Sequence, residues 1–214
     1  MLGNHPAVSQ VMNAASSSVL IVDDDEDVLR ALARVLRQAG FNVETFTSAA
    51  AFLKRPFGDT PSCLVLDLKL PDLNGLQLQE AMTQANIPMP IVFVSGRSDV
   101  ASTASAMRLG ALDFLVKPVD DVVLIEAVSR ALEEDTTRRH RRNEESVARE
   151  RLARLTPREN DVCRLVARGL LNKQIADELG VSQQTVKIHR ARAMRKLQVG
   201  SVAELVRFLS VIEK

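Results

Sequence analysis

The 214-residue chain contains only two cysteines, Cys63 and Cys163. One falls in an apolar run and the other in a helix-period stretch, with no neighbouring ligands at metal spacing, so both are expected as buried apolar side chains and no disulfide is expected. Long hydrophobic runs are missing too: none approaches the roughly 18 residues needed to cross a bilayer. The first eighteen residues lack the basic start and apolar stretch of a secretory signal, so a cytoplasmic protein with no membrane partner is expected. There is no Gly-x4-Gly-Lys-Ser/Thr loop, which argues against an NTPase. Net charge is also nearly absent, at +1, but that balance hides a division. Residues 19–130 carry 15 acids and 10 bases, 131–151 carry 6 of each, and 152–214 carry 6 acids and 12 bases. A basic C-terminal region suggests a polyanionic partner.

What is present is 46% hydrophobic and long enough for two cores. Residues 1–18 are small and polar and are expected to form a mobile tail. Between 19 and 131, short apolar runs alternate with helix-period stretches: VLIV, VETF, CLVL, PIVFV and DFLV are each followed by a helical pattern. Five such βα units predict a doubly wound, flavodoxin-like parallel sheet. Residues 132–151 contain neither Gly nor Pro, and acid–base pairs four apart, Glu134 with Arg138, Glu145 with Arg149 and Glu150 with Arg154, predict a helical linker. From 152 to 214 the punctuation predicts four helices. Thr156-Pro157-Arg158-Glu159 reads as a capping box with Pro at the first helical position, Gly169 and Gly180 read as stops, and Ser201 to Glu204 reads as a second box. A short Gly-containing turn between the middle pair predicts an all-α helix-turn-helix domain.

In a doubly wound sheet, ligands bind beyond the carboxyl ends of the strands. The polar residues there are Asp23 and Asp24 after the first strand, Asp67 after the third, Ser95 after the fourth and Lys117 after the fifth. Three adjacent carboxylates repel unless a cation lies among them, and oxygen ligands with room for phosphate suit Mg²⁺. Asp67 would then be a carboxylate nucleophile that accepts a phosphoryl group, with Lys117 and the Ser95 hydroxyl on the phosphoryl oxygens. Taken alone, the DDDED run at 23–27 also reads as an acidic helix start, and Phe114 reads as core. A metal-dependent aspartyl phosphatase is a second reading, but that chemistry wants a second carboxylate two residues after the nucleophile, where Lys69 stands. A constitutive DNA binder with an unresponsive first domain is a third reading, which the intact polar set argues against.

VDDD, LVLDLKLPDLNG, VSG and DFLVKP, in this order, resemble the receiver domain of two-component response regulators across residues 19–131. The resemblance implies phosphorylation of Asp67 by a sensor histidine kinase, and Mg²⁺ bound by Asp24 directly, by Asp23 through water, by Asp67 and by the Lys69 backbone carbonyl. It also implies Ser95 and Phe114 as the switch pair. Ser95 stands where Thr is common, and Val119 where an aromatic often follows Lys-Pro.

On the helix from 183 to 197, Val186, Ala193 and Leu197 form a packing stripe, while Gln184, Lys187, Ile188, Ala191 and Arg195 form another face. Ile188 on that face suits a thymine methyl, and Lys187 suits base edges or phosphate. Thr185, His189, Arg190, Arg192 and Lys196 are expected backbone contacts. The stretch from LTPREN to RAMRKL resembles the LuxR-type helix-turn-helix, and the two modules together resemble the NarL/FixJ architecture. That resemblance implies double-stranded DNA and RNA polymerase as partners, a homodimer when phosphorylated, and a non-enzymatic transcription regulator with weak self-dephosphorylation at most. Thr185, Lys187 and Ile188 occupy positions that typically face DNA in the family, whereas Ala191 stands where several members carry a basic or polar reader.

Overall fold

The computed structural model describes residues 17–96 and 100–212. Two compact units divide between Arg138 and Arg139. In the first, strands β1 (Ser18–Val22), β2 (Asn42–Phe46), β3 (Ser62–Leu66), β4 (Ile91–Ser95) and β5 (Asp113–Val116) alternate with helices α1 (Glu26–Gln38), α2 (Ala49–Leu53), α3 (Gly75–Gln84), α4 (Val100–Arg108) and α5 (Asp121–Ala153). All strand pairings are parallel, in the order β2-β1-β3-β4-β5, so the expected doubly wound fold is the observed one. Residues 1–16 of the expected tail lie outside the described residues, and Ser18, expected at its end, already belongs to β1.

The apolar runs are continuous because both faces of this sheet are covered. Successive strand residues point to opposite sides, so Val19, Ile21, Cys63, Val65, Val92 and Val94 enter one core with α1 and α5. Leu20, Val22, Leu64, Leu66, Ile91 and Phe93 enter the other, with α2, α3 and α4. Each fully buried Val, Leu or Phe contributes about 1.5–3 kcal/mol. That burial fixes the register, because a slip of one residue would exchange the two cores.

Helix α5 is 33 residues long and passes through the boundary between the units. The linker expected from 132 is not free at its start. Leu132 belongs to the first core, and Asp135, 1% exposed, accepts a hydrogen bond from the Ser62 amide at 2.9 Å. The helix therefore stays docked through Asp135, and the reason is a carboxylate capping the first amide of β3. Glu134–Arg138 (3.7 Å) and Glu145–Arg149 (3.8 Å) pair as expected. Glu150 and Arg154 do not, because the helix ends at Ala153.

The second unit contains α6 (Pro157–Ala167), α7 (Asn172–Leu179), α8 (Gln183–Leu197) and α9 (Val202–Ile212). Thr156 and Glu159 form the expected capping box with Pro157 at the helix start, and Gly180 takes the left-handed conformation (φ 66°) that lets α7 turn into α8. Val186, Ala193 and Leu197 are buried against Val162, Val166, Ile175, Leu205 and Leu209. Both cysteines are buried and unpaired as expected. Burial raises the Cys63 thiol pKa far above its usual value, with the Asp135 charge adding to it, and pushes that of Cys163 up to about 11. Among the described residues, no helix is long and apolar enough to cross a membrane.

Glu159, 3% exposed, also accepts from Lys196 Nζ at 2.6 Å, and this bond holds its carboxyl below the ordinary 4.5. A depressed folded value contributes stability that is present above pH 4.5 and lost as pH falls through that value. Glu159→Gln is expected to cost the second unit about 1–3 kcal/mol at neutral pH and to remove this part of its acid sensitivity. Hydrogen exchange of α6 and α8 amides in the full chain across pH 3–7 checks both.

Candidate functional site

The strand order reverses between β1 and β3, and the aligned ends Val22 and Leu66 deliver Asp23 and Asp67 side by side. The Asp67 amide donates to the Val22 carbonyl at 2.9 Å, so the ladder itself sets the distance between the two acids. From the other side of the sheet, Ser95 pairs with Val116, and the Lys117 amide donates to the Ser95 carbonyl at 2.8 Å. Lys117 Nζ then reaches Asp23 at 2.5 Å and Asp67 at 3.0 Å. Asp67 is 6% exposed, Asp23 2% and Ser95 2%, so the cluster is nearly closed to bulk water.

Burial lifts the Asp23 carboxyl above its usual value; Lys117 and the Asp25 amide offset this only in part, and the Asp67 charge reinforces it. Burial acts to lower the Lys117 pKa, but the bonds to Asp23 and Asp67 outweigh it, and the ammonium is held above its ordinary range. Two buried carboxylates sharing one ammonium leave net negative charge.

The acidic run divides its work. Asp23 faces the cluster and accepts from the Asp25 amide at 3.0 Å, while Asp25 caps α1 by accepting from the Asp27 and Val28 amides. Glu26 and Asp27 lie in the first helical turn, where negative charge is favoured, and pair with Arg30. Asp24 is exposed. Asp23, Asp24 and Asp67, expected to share a metal, are not drawn into one cage: among the described residues no three His, Cys, Asp or Glu side chains are so grouped. Lys117 lies between Asp23 and Asp67 and offsets part of their repulsion. The donor set nevertheless fits Mg²⁺, since it is all oxygen, carries excess negative charge and keeps one exposed carboxylate on which waters can remain.

The segment following Asp67 is fastened residue by residue. The Lys69 amide donates to Asp67 Oδ2 at 2.5 Å. Asp72 accepts from the Ala49 and Ala50 amides at 3.3 and 2.8 Å, tying this loop to the start of α2. Asn74 and Gln77 form a capping box on α3. Gly75 packs so closely that a Cβ would lie 2.5 Å from the Asp67 carbonyl oxygen and 2.9 Å from the Phe93 ring. The sequence reading missed Asp72 and Gly75; the glycine three residues after an acid was the available signal. Phe114, expected as a switch residue, is half-buried with its ring stacked on Phe93 at 6.1 Å.

In the second unit, Gln184, Lys187, Ile188 (43%), Ala191, Arg192 and Arg195 are exposed along α8. Thr185 shares a hydrogen bond with Ser182 at 2.8 Å, and Arg190 donates to Asn172 at 3.4 Å. His189 is half-buried. Lys196, expected to contact a DNA backbone, keeps 36% of its side chain exposed and donates to buried Glu159, whose carboxylate would be expensive to leave unpaired.

Residues 19–129 match the response regulator receiver domain, and residues 153–209 match the bacterial regulatory proteins of the luxR family. The chain is 42% identical to nodulation protein W of Bradyrhizobium diazoefficiens, over 88% of this chain and 83% of the relative. It is 39% identical to the transcriptional regulatory protein FixJ of Rhizobium meliloti, over 89% and 93%. The low-resolution structure of the response regulator StyR superposes with a TM-score of 0.83 at 41% identity, covering 91% of this chain and 98% of that one.

Gly75→Ala is expected to displace the backbone at Asp67 and to destabilise the first unit by about 1–3 kcal/mol. Denaturant unfolding checks the stability, and amide chemical shifts of Leu66 to Lys69 check the displacement.

Proposed function

Because the chain belongs to the NarL/FixJ-type response regulators, which join a receiver domain to a LuxR-type helix-turn-helix, we propose that Asp67 accepts a phosphoryl group from a sensor histidine kinase and thereby controls promoter binding. The protein is a phosphorylation-dependent, DNA-binding regulator of transcription, broadly non-enzymatic. The observation that carries the Asp67 assignment is the shared ammonium of Lys117, held between Asp67 and Asp23 at the carboxyl edge of the sheet.

In this reading an Asp67 carboxylate oxygen attacks the phosphorus of the donor phosphohistidine. The new bond is an acyl P–O bond, and the P–N bond breaks with its electron pair returning to the imidazole. Asp24 and Asp67, Asp23 through water and the Lys69 carbonyl would hold Mg²⁺, which when bound would supply neutralisation of charge on the phosphoryl oxygens. Lys117, already within 3.0 Å of Asp67, exchanges a carboxylate contact for a phosphoryl oxygen, and the Ser95 hydroxyl donates to another. Slow attack by water on the acyl phosphate would return Asp67 to its resting form.

Movement of Ser95 toward the phosphoryl group frees space for the Phe114 ring to turn inward from its stack on Phe93. The surface beside it carries exposed Met107, Leu109, Val116, Val122 and Val123. Such apolar exposure on α4, β5 and the start of α5 supports a homodimer formed there after phosphorylation. Two copies would bring two helix-turn-helix units to two half-sites.

The exposed face of α8 enters the major groove in this reading. Lys187 serves base edges or phosphate and Ile188 a thymine methyl, with Thr185, His189, Arg190 and Arg192 on the backbone. Lys196 leaves that set. RNA polymerase is the further partner, in the cytoplasm.

Asp67→Asn is expected to abolish Mg²⁺-dependent labelling by acetyl phosphate, read as a mass increment on the intact chain; a persisting label would move the acceptor elsewhere. Lys187→Ala is expected to weaken binding to a cognate promoter fragment and to lower the salt slope by about 1. Lys196→Ala is expected to leave that slope unchanged, and the pair of titrations separates an outward lysine from an inward one.

A further inference from the structure

At the amino ends of the strands, opposite Asp67, lies a cavity of about 210 Å³. Its apolar walls include Met82 of α3, Ile87 and Met89 ahead of β4, and Leu109 after α4. Four polar side chains complete it: Gln79 and Thr83 of α3, Asn86 after that helix, and Arg138 of α5. The Thr83 hydroxyl is already engaged, donating to the Gln79 carbonyl at 3.0 Å. Among the described residues of the first unit, the buried side-chain atoms that make no hydrogen bond are Gln79 Oε1, Arg138 Nε and Arg138 Nη2, and all three belong to the residues lining this one cavity. Unpaired buried polar atoms are costly and uncommon in native proteins, so their concentration at one place calls for a complementary group.

The chemistry of that group follows from the donors and acceptors. Gln79 is 3% exposed, and its Nε2 donates to the Ala106 carbonyl at 3.3 Å, which leaves Oε1 as an acceptor in need of a donor. The Arg138 guanidinium offers two donors and needs an acceptor. Its charge is already met by Glu134 at 3.7 Å and Asp135 at 3.9 Å, distances of ion pairing without hydrogen bonding. Two carboxylates around one guanidinium disfavour an anion. A neutral group that both accepts and donates, on an apolar body, matches the unpartnered atoms of Gln79 and Arg138 and the Met82, Ile87, Met89 and Leu109 walls. We propose that this cavity binds a small neutral molecule bearing a carboxamide, with the carbonyl toward Arg138, the N–H toward Gln79 and the body among Met82, Ile87, Met89 and Leu109. The volume lies below the ~300–1,000 Å³ of drug-sized sites, which sets the ligand at fragment size. Because Arg138 sits on α5, an occupant would fasten that helix to α3 and to the start of β4.

The test uses the full chain with ¹³C-methyl methionine, whose Met82 and Met89 signals report from the cavity wall. Benzamide is the probe, with benzoate and benzene as controls. Benzamide is expected to shift both signals saturably, with a midpoint at least tenfold below that of either control. Gln79→Leu, and Arg138→Lys, which keeps the charge but removes the planar fork, should each raise the benzamide midpoint at least tenfold, the remaining methionine signals reporting an intact fold. Absence of a saturable shift would mean a crevice filled by water, and an equal response to benzene or benzoate would mean a site without the proposed polar recognition. Either result overturns the proposal, as does unchanged benzamide affinity in either variant.

Discussion

One ammonium between two buried carboxylates is the interaction around which the receiver domain is organised. Lys117 can reach Asp23 and Asp67 only because β1 and β3 are neighbours in register while β5 lies on the far side of β4. The two carboxylates are buried, so they interact more strongly with Lys117 than they would at the surface, and each is costly if left alone. In the proposed reading, the Lys117 ammonium and a bound divalent cation would offset the negative charge of this site when a phosphoryl group enters. The same net charge accounts for the fit of a divalent metal.

The remainder of the domain serves to hold that geometry. Strand residues of alternating parity fill two separate cores, which locks the register that aligns Val22 with Leu66. Downstream of Asp67, four residues each have a fixed partner: Lys69 the Asp67 carboxylate, Asp72 the start of α2, Asn74 the start of α3, and Gly75 the tight contact with the Asp67 carbonyl. In the proposed reading, phosphorylation would act on a loop with little slack, which would carry the effect of a local charge to α4 and β5.

Much of this was legible in the sequence, for identifiable reasons. Strands covered on both faces write themselves as continuous apolar runs, so VLIV, CLVL and IVFV located the strand ends and therefore the acids beyond them. Capping boxes and glycine stops did the same for the C-terminal helices. What escaped were long-range side-chain partnerships, which have no local period. Asp135 looked like one more acid in a charged linker, yet it caps a strand 73 residues earlier in the chain. Lys196 looked like one more base on a basic helix, yet it faces Glu159. The DDDED run held two functions that composition could not separate: Asp25 caps the helix while Asp23 turns to the cluster.

The depth of the two thiols has a consequence for what the molecule can sense. A cysteine reacts with peroxide or electrophiles as its thiolate, and at neutral pH a group with a pKa near 11 is ionised in only about one molecule in ten thousand. Cys163 is thus quiet, and Cys63, in the middle of a strand beside the Asp135 charge, is quieter still. The two thiols are therefore poor targets for peroxide or electrophiles at neutral pH, which among the described residues leaves the exposed thioether of Met107 as the accessible sulfur beside β5.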